Sequence, residues 1–362
     1  MRKPLLRIVI SVIILLVIYI VGLLIYGTVN DYQPESVTAL KAEQTSPVNV
    51  IQDSILTFTV WNLGYGGLGA EADFFFDDEG MLYSGGSMVR PPRELTEQYI
   101  EGSANFVKSI QSDFFLFQEV DVNSKRSYYI NQFAKIKTNV PQYAAFFAPN
   151  FDLPNVTIPL LEPWHFYGKV NSGIATFSKY QPRESTRYQL PGSFGWPTRI
   201  LQLDRCILLQ RYNIKNNKQL IVLNIHNSAH DKDGSLKRQE MAFIQKLVLE
   251  EYEKGNYVIA GGDWNECPPY FRFDTFMPGK SGDYHQFNIE AEFLPEDWQW
   301  VYDPTVPTNR KAADPYQKDQ TFVTLIDFFL ISPNIQVTKV KGINQGFQYS
   351  DHQPVWMEVR LR

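Results

Sequence analysis

A chain of 362 residues, 44% hydrophobic and 20% charged, has the make-up of an ordinary folded protein and the length for one or two domains. Lys plus Arg number 34 against 39 Asp plus Glu, a net charge of −5, so the basic excess of a protein built to grip a polyanion is missing. That disfavours non-specific nucleic-acid binding and leaves room for a local basic cleft.

In chain order, residues 8–29 carry no charged side chain and are dominated by Ile, Leu and Val. A helix needs about 20 such residues to cross a bilayer. Arg2, Lys3 and Arg7 precede the run, while Asp31 and Glu35 follow it. The positive-inside rule then keeps residues 1–7 cytoplasmic and exports the remainder. A cleaved signal peptide is the alternative, but its apolar core is usually shorter, and no small-x-small site follows Tyr26. Residues 30–53 are polar and aperiodic and are expected to be a flexible tether with a reach of ~25 Å. The remaining 54–362 is expected to be one catalytic domain near the membrane.

A strand is predicted over 55–61, followed by a turn rich in glycine (Gly64, Gly66, Gly67). Residues 65–92 mix Phe74, Phe75 and Phe76 with Asp73, Asp77 and Asp78 and have no period, as expected of a long functional loop. Pro91 and Pro92 open a helix carrying Leu95, Tyr99, Phe106, Val107 and Ile110 on one face. A strand at 114–117 and a helix over 124–137 come next. Strands follow at 173–177, 200–212 and 220–225. Ser235 is the expected cap of a helix ended by Gly255. Residues 257–260 form an apolar strand, 268–320 are irregular and aromatic, and 321–331 and 355–361 close the sheets. Strands outnumber helices, which suggests two packed mixed sheets with helices outside. The cysteines, Cys206 and Cys267, read as a strand thiol and a loop thiol, and spacing leaves their pairing open.

Short polar signatures sit at the ends of these apolar runs: TVWNLG at Asn62, LFQEVD at Glu119, LNIHNS at His226, AGGDWNE at Asp263 and Asn265, TLIDFF at Asp327, and YSDHQPV at Asp351 and His352. A carboxylate such as Glu119 at a buried strand end is costly unless paired or bound to a cation. Oxygen donors select Mg²⁺, Mn²⁺ or Ca²⁺ over zinc. Asn62 supplies a neutral oxygen to the same ion or holds Glu119 in place. Asp263 can orient or deprotonate water, and Asn265 can donate to a phosphate oxygen. His226 suits proton exchange near neutral pH. Asp327 with His352 makes the carboxylate–imidazole pair that fixes a tautomer. Singly, each has a bland alternative: a salt bridge for Glu119, a turn for Asn62 and Asp263, a structural role for His226. His230 has no assignable role, and His165 and His285 read as surface or packing residues. No G-x-S-x-G elbow, Walker loop, C-x-x-C or H-E-x-x-H occurs.

The ordered series resembles the endonuclease/exonuclease/phosphatase superfamily, from about residue 55 to the end. The resemblance implies a four-layer α/β/β/α sandwich with two mixed sheets and a Mg²⁺- or Mn²⁺-dependent hydrolase. It also implies in-line attack of water on a phosphoester without a covalent intermediate. It casts Glu119 as the principal metal ligand, with Asn62 and Asp351 nearby. His226 becomes the phosphate contact or general acid, Asp263 the water-activating residue, Asn265 its phosphate-binding companion, and Asp327 and His352 the supporting dyad. Arg126 and Arg310, in loops near these blocks, are candidate substrate contacts. Fold and chemistry do not choose the substrate. The anchor, the aromatic loop and the acidic charge favour a lipid head group or small phosphoester at the membrane. An exported nuclease with the same machinery is the alternative, and a non-catalytic binding domain the third reading.

Overall fold

The computed structural model describes residues 2–362 except 78, 79, 216, 217, 230, 232, 283 and 285, with side chains from residue 4 onward. Asp78, His230 and His285 therefore lie outside the described residues. Two large sheets form the centre. One has six strands in the order Ile335–Gly342, Val355–Leu361, Ile55–Asn62, Phe114–Asp121, Gly168–Ser178 and Ala144–Val156. The other has eight: Val37–Ala39, Glu184–Gln189, Cys206–Ile214, Gln219–His226, Tyr257–Asp263, Asp327–Ile331 and Gln299–Val301, with Val50–Ile51 beside Cys206–Ile214.

Strand periodicity makes the layers. Leu56, Phe58, Val60, Phe114 and Leu116 of the first sheet meet Tyr212, Val222, Ile259 and Phe329 of the second in one buried cluster. The alternate residues Trp61, Phe115 and Phe117 point the other way, onto helices α2 (Arg93–Ser109) and α3 (Gln132–Asn139). The outer face of the second sheet is covered by Met241, Ile244 and Val248 of helix α4 (Ser235–Glu253) and by Phe271, Phe293 and Trp298 of the irregular segment. The result is the α/β/β/α sandwich, preceded by the apolar helix α1 (Arg2–Val29).

Parallel pairing positions the chemistry. Ile55–Asn62 runs parallel to Phe114–Asp121, with α2 as the crossover. Gln219–His226 runs parallel to Tyr257–Asp263, with α4 as the crossover. All four strands thus deliver their carboxyl ends to one edge, where α/β sheets place ligands. Asp263 pairs in register with His226 on one side and Asp327 on the other. Gly262 is needed for that approach: its φ is 152, and a Cβ there would sit 2.0 Å from the Ile225 carbonyl oxygen.

Several expectations need correction. The tether 30–53 is no free coil. Val37–Ala39 pairs antiparallel with Glu184–Gln189, Val50–Ile51 pairs parallel with Cys206–Ile214, and the Ser46 amide donates to Gln181. The short strands escape notice because their partners are remote in sequence. The helix expected over 124–137 splits into a 3₁₀ turn (Lys125–Ser127) and α3, because Tyr128 and Tyr129 take positive φ and the Asn131 side chain caps Ala134 at 2.7 Å. The strand expected from 200 starts at Cys206, after a 3₁₀ turn at Thr198–Leu201. Gly234, not Ser235, is the N-cap residue of α4; the Asp231 carboxylate accepts from the Leu236 and Lys237 amides at 2.9 and 2.8 Å. Cys206 and Cys267 are both buried free thiols.

The last turn of α4 is tied to the second sheet by Glu251, which takes both terminal nitrogens of Arg211 at 2.6 and 2.9 Å. Burial opposes the Glu251 charge, but the bonds from Arg211, Lys254 and Asn256 outweigh it and hold the carboxyl at about 2 against an ordinary 4.5. The contribution is complete above pH 4.5 and is lost as pH falls through about 2. Glu251→Gln should cost about 2 kcal/mol at pH 7, less than a fully buried pair because Arg211 keeps 19% side-chain exposure. Denaturant midpoints of the two proteins, followed from pH 7 downward, should begin to converge below pH 4.5 and meet near pH 2; a gap that stays constant would remove the ion pair from the account.

Candidate active site

Glu119, His226, Asp263, Asn265, Asp351 and His352 line a cavity of about 640 Å³ together with Tyr65, Arg126, Arg205, Lys237 and Arg310, while Asn62 and Asp327 stand behind its wall. Asp263 contacts Asn62, Asn265, His226 and His352. Its Oδ2 accepts from Asn62 Nδ2 at 3.0 Å and lies 3.5 Å from His226 Nε2 and 3.8 Å from His352 Nε2. Its Oδ1 accepts from the Asn265 amide at 2.9 Å. Asn265 has φ 51, a left-handed turn that folds the chain back at once after the strand, and its Nδ2 donates to the Asn227 carbonyl at 2.9 Å.

Glu119 also has a positive φ, 51, at the point where the pairing of Phe114–Asp121 with Gly168–Ser178 shifts register. The bulge re-aims the side chain into the cleft, a strained placement typical of functional sites. Asn62 Nδ2 reaches Glu119 Oε1 at 3.3 Å, while its Oδ1 accepts from the Gly64 amide at 3.0 Å. Asn62 therefore turns its nitrogen, not its oxygen, toward the two carboxylates and acts as a spacer between them.

The two histidines are in opposite states. His352 Nδ1 bonds Asp327 Oδ2 at 2.8 Å, and Asn309 Nδ2 lies 3.1 Å from its Nε2. Burial works against its charge, but Asp327, Asp263 and Asp351 together hold it well above the ordinary histidine value. Asp327 is itself pushed up to about 6 by burial, so the pair shares one proton. We place that proton on His352, which has three carboxylates around it; a protonated Nε2 then calls for the Asn309 amide oxygen, rather than its nitrogen, to face it. Burial, Arg205 and His352 hold His226 well below its ordinary value. The Arg205 guanidinium contacts His226 Nε2, and a guanidinium only donates, so Nε2 is an acceptor and the ring is neutral.

The donor set fits a hard cation. Ligand atoms of Asp263, Asp327 and His352 lie within 4.8 Å of one another. Asp327 and His352 are already joined by a hydrogen bond, which leaves those two atoms less free to hold an ion. The more open carboxylates suit an ion better: the Glu119 side chain is 23% exposed, and Asp351 is half-buried. Burial and the Glu119 charge push Asp351 up to about 7 against the opposing His352 and Arg310, the condition of two carboxylates that a cation would relieve.

Arg126 and Arg310 line the cavity but are already occupied. Arg126 grips both oxygens of Asp121, with Nε 3.0 Å from Oδ2 and Nη2 2.9 Å from Oδ1, and lies 3.8 Å over the Tyr65 ring. Arg310 donates to the carbonyls of Leu68, Gly69, Ala72, Lys311 and Asp314. Arg126 thus holds Tyr65, and Arg310 holds Leu68, Gly69 and Ala72, at the cavity wall. The sequence reading missed Arg205. Its signal was a charge one residue before the apolar run Cys206–Leu209, hidden by starting that strand at 200.

The endonuclease/exonuclease/phosphatase family pattern matches residues 61–352. The chain belongs to this family. Its members are hydrolases acting on phosphoesters and are typically dependent on a divalent metal. Among curated proteins, none matches the chain in sequence. A Beutenbergia cavernae structure described by the family's name superposes with a TM-score of 0.52 at 16% identity, over 85% of this chain and 72% of that one. ANGEL2, described as a 2',3'-cyclic phosphatase, gives 0.52 at 13% identity over 91% and 99%. TDP2 from D. rerio, complexed with single-strand DNA product, gives 0.50 at 13% over 85% and 100%. At these identities the likeness is one of fold.

Proposed function

We propose that the chain is a Mg²⁺- or Mn²⁺-dependent phosphoester hydrolase acting on a lipid head group or small phosphorylated compound beside a membrane. The observation that carries this is the position of Asp263, a buried carboxylate with amide donors on both oxygens and two imidazoles within 4 Å. Asp263 orients the attacking water and takes its proton. Asn62 keeps Asp263 and Glu119 apart. Glu119 and Asp351 would hold the cation, which when bound supplies Lewis-acid stabilisation of charge on the non-bridging oxygens. His352, kept protonated by Asp327, donates to the phosphoryl group. His226, neutral, contacts the phosphate without serving as the acid, so the general-acid role moves to His352. Arg205 supplies fixed positive charge beside it, and Asn265 offers its remaining amide proton to a phosphate oxygen.

Helix α1 is long and apolar enough to cross a bilayer. We read it as an uncleaved anchor, with residues 1–7 cytoplasmic and the domain exported; a signal sequence has the same composition. Nuclease activity is the second reading, favoured by the single-strand product bound to the zebrafish TDP2. The full chain with Mg²⁺ or Mn²⁺ should release phosphate or head group from a panel of phospholipids, sphingolipids and inositol phosphates, with Asp263→Ala as blank. Nicking of supercoiled DNA without ester release would move it to the nucleases.

A further inference from the structure

Helix α1 does not stand clear of the domain. Tyr19, Ile20, Leu23, Leu24 and Gly27 form its one half-buried stripe, at i, i+4 spacing. Tyr19 Oη donates to the Leu160 carbonyl at 2.9 Å, and Trp196 Nε1 donates to Thr28 Oγ1 at 3.1 Å. Around that seam lie large apolar side chains turned to the outside: Trp164 is 71% exposed, Tyr83 64%, Leu82 59%, Trp196 57% and Leu161 45%. Leu82, Tyr83, Leu161 and Trp164 lie on adjoining turns, and Trp196 lies farther along α1, at Thr28. The Leu160 amide bonds the Met81 carbonyl at 2.8 Å, and the Leu161 amide bonds the Leu82 carbonyl at 3.0 Å, so the two turns are joined. Glu162, the acid in those turns, is 3% exposed and is held inward by Ser84 and His165.

The helix sets the depth of this surface. Residues 4–29, 26 in number, give a rod of about 39 Å against a hydrocarbon core of ~30 Å. Tyr19 lies about 15 Å back from Val29 along the axis. Even if the whole ~9 Å excess projects on the domain side, the level of Tyr19 is still some 6 Å inside the hydrocarbon boundary. The turn bonded to Tyr19 is thus brought to the height of lipid, where exposed tryptophan, tyrosine and leucine are favourable.

We propose that the turns bearing Leu82, Tyr83, Leu161 and Trp164, with Trp196, are a second membrane contact that seats the domain edge-on in the bilayer spanned by α1. The inference rests on the anchored reading of α1. It gives the cavity a direction. Its apolar wall, with Phe74, Phe151, Ile158, Leu201 and Leu203, faces this seam: Ile158 is two residues from Leu160, and Leu201 follows Ile200, whose side chain lies against Gly27. A phosphoester with an apolar tail would enter from the bilayer head first toward Asp263, its tail on that wall.

The test uses the full chain in phosphatidylcholine vesicles carrying bromine on the shallow acyl carbons. Tryptophan emission should be quenched, and the quenched component should vanish in Trp164→Phe/Trp196→Phe. A chain that stays on the vesicles through an alkaline carbonate wash, yet shows no quenching or the same quenching in the variant, overturns the second contact while leaving the anchor. A chain washed off overturns the anchored reading and this inference with it. In a second arm, Leu161→Ser/Trp164→Ser/Trp196→Ser should lose about tenfold in turnover of a vesicle-borne phosphoester. It should stay within about twofold of the parent on soluble bis-p-nitrophenyl phosphate. Equal loss on both substrates would overturn the proposal.

Discussion

Asp263→Asn is expected to lower kcat/KM by about 10³-fold or more, with the folded structure retained. General acid–base groups contribute about 10²–10⁴-fold, and this carboxylate is the one that Asn62, Asn265, His226 and His352 all approach. The amide replacement keeps an acceptor for the Asn265 amide, now 2.9 Å from Asp263 Oδ1. It also places an NH₂ opposite Asn62 Nδ2, which now donates at 3.0 Å, so two donors face each other. That mismatch should cost about 1–2 kcal/mol and lower the melting temperature by only a few degrees. Steady-state kinetics beside a thermal melt separate the two effects. A variant that keeps a tenth of the parent activity while folded would remove Asp263 from the handling of water and shift attention to Glu119.

The same side chain shows why much of the site was readable in advance. Asn62, His226 and Asp263 end apolar runs, and Asp327 begins one, so a strand-by-strand reading finds them without knowing their partners. Parallel registers then do the assembly, bringing His226 and Asp327 to either side of Asp263. Glu119 was legible as a costly carboxylate, but not the positive φ that turns it into the cleft, because a bulge depends on the neighbouring strand. Arg205 was lost to a strand boundary misplaced by six residues, from 200 to Cys206. The edge strands Val37–Ala39 and Val50–Ile51 were lost for a related reason: two or three residues in a polar segment gain strand geometry only from a remote partner.

Arg310→Ala is expected to destabilise the protein by about 3–5 kcal/mol, lowering the melting temperature by roughly 10 °C, and to open the 65–92 loop. The sequence offered Arg310 as a substrate contact, since it is a cation in a polar segment near the motif blocks. In the fold it is 1% exposed, with its guanidinium committed to five carbonyls, three of them (Leu68, Gly69 and Ala72) on the loop at the cavity wall. No local sequence pattern shows where a loop will point its carbonyl oxygens, so this role could not be read in advance. Alanine leaves those oxygens buried without donors. Lysine has three donors on a point charge and cannot span the fork, so Arg310→Lys should recover only part of the loss. The kinetic consequence follows from the loop: both kcat and KM should worsen, and protease should cut within 80–90 in the variant while sparing the parent. A direct substrate contact predicts a different pair of results, a raised KM with an unchanged melting temperature and an uncut loop.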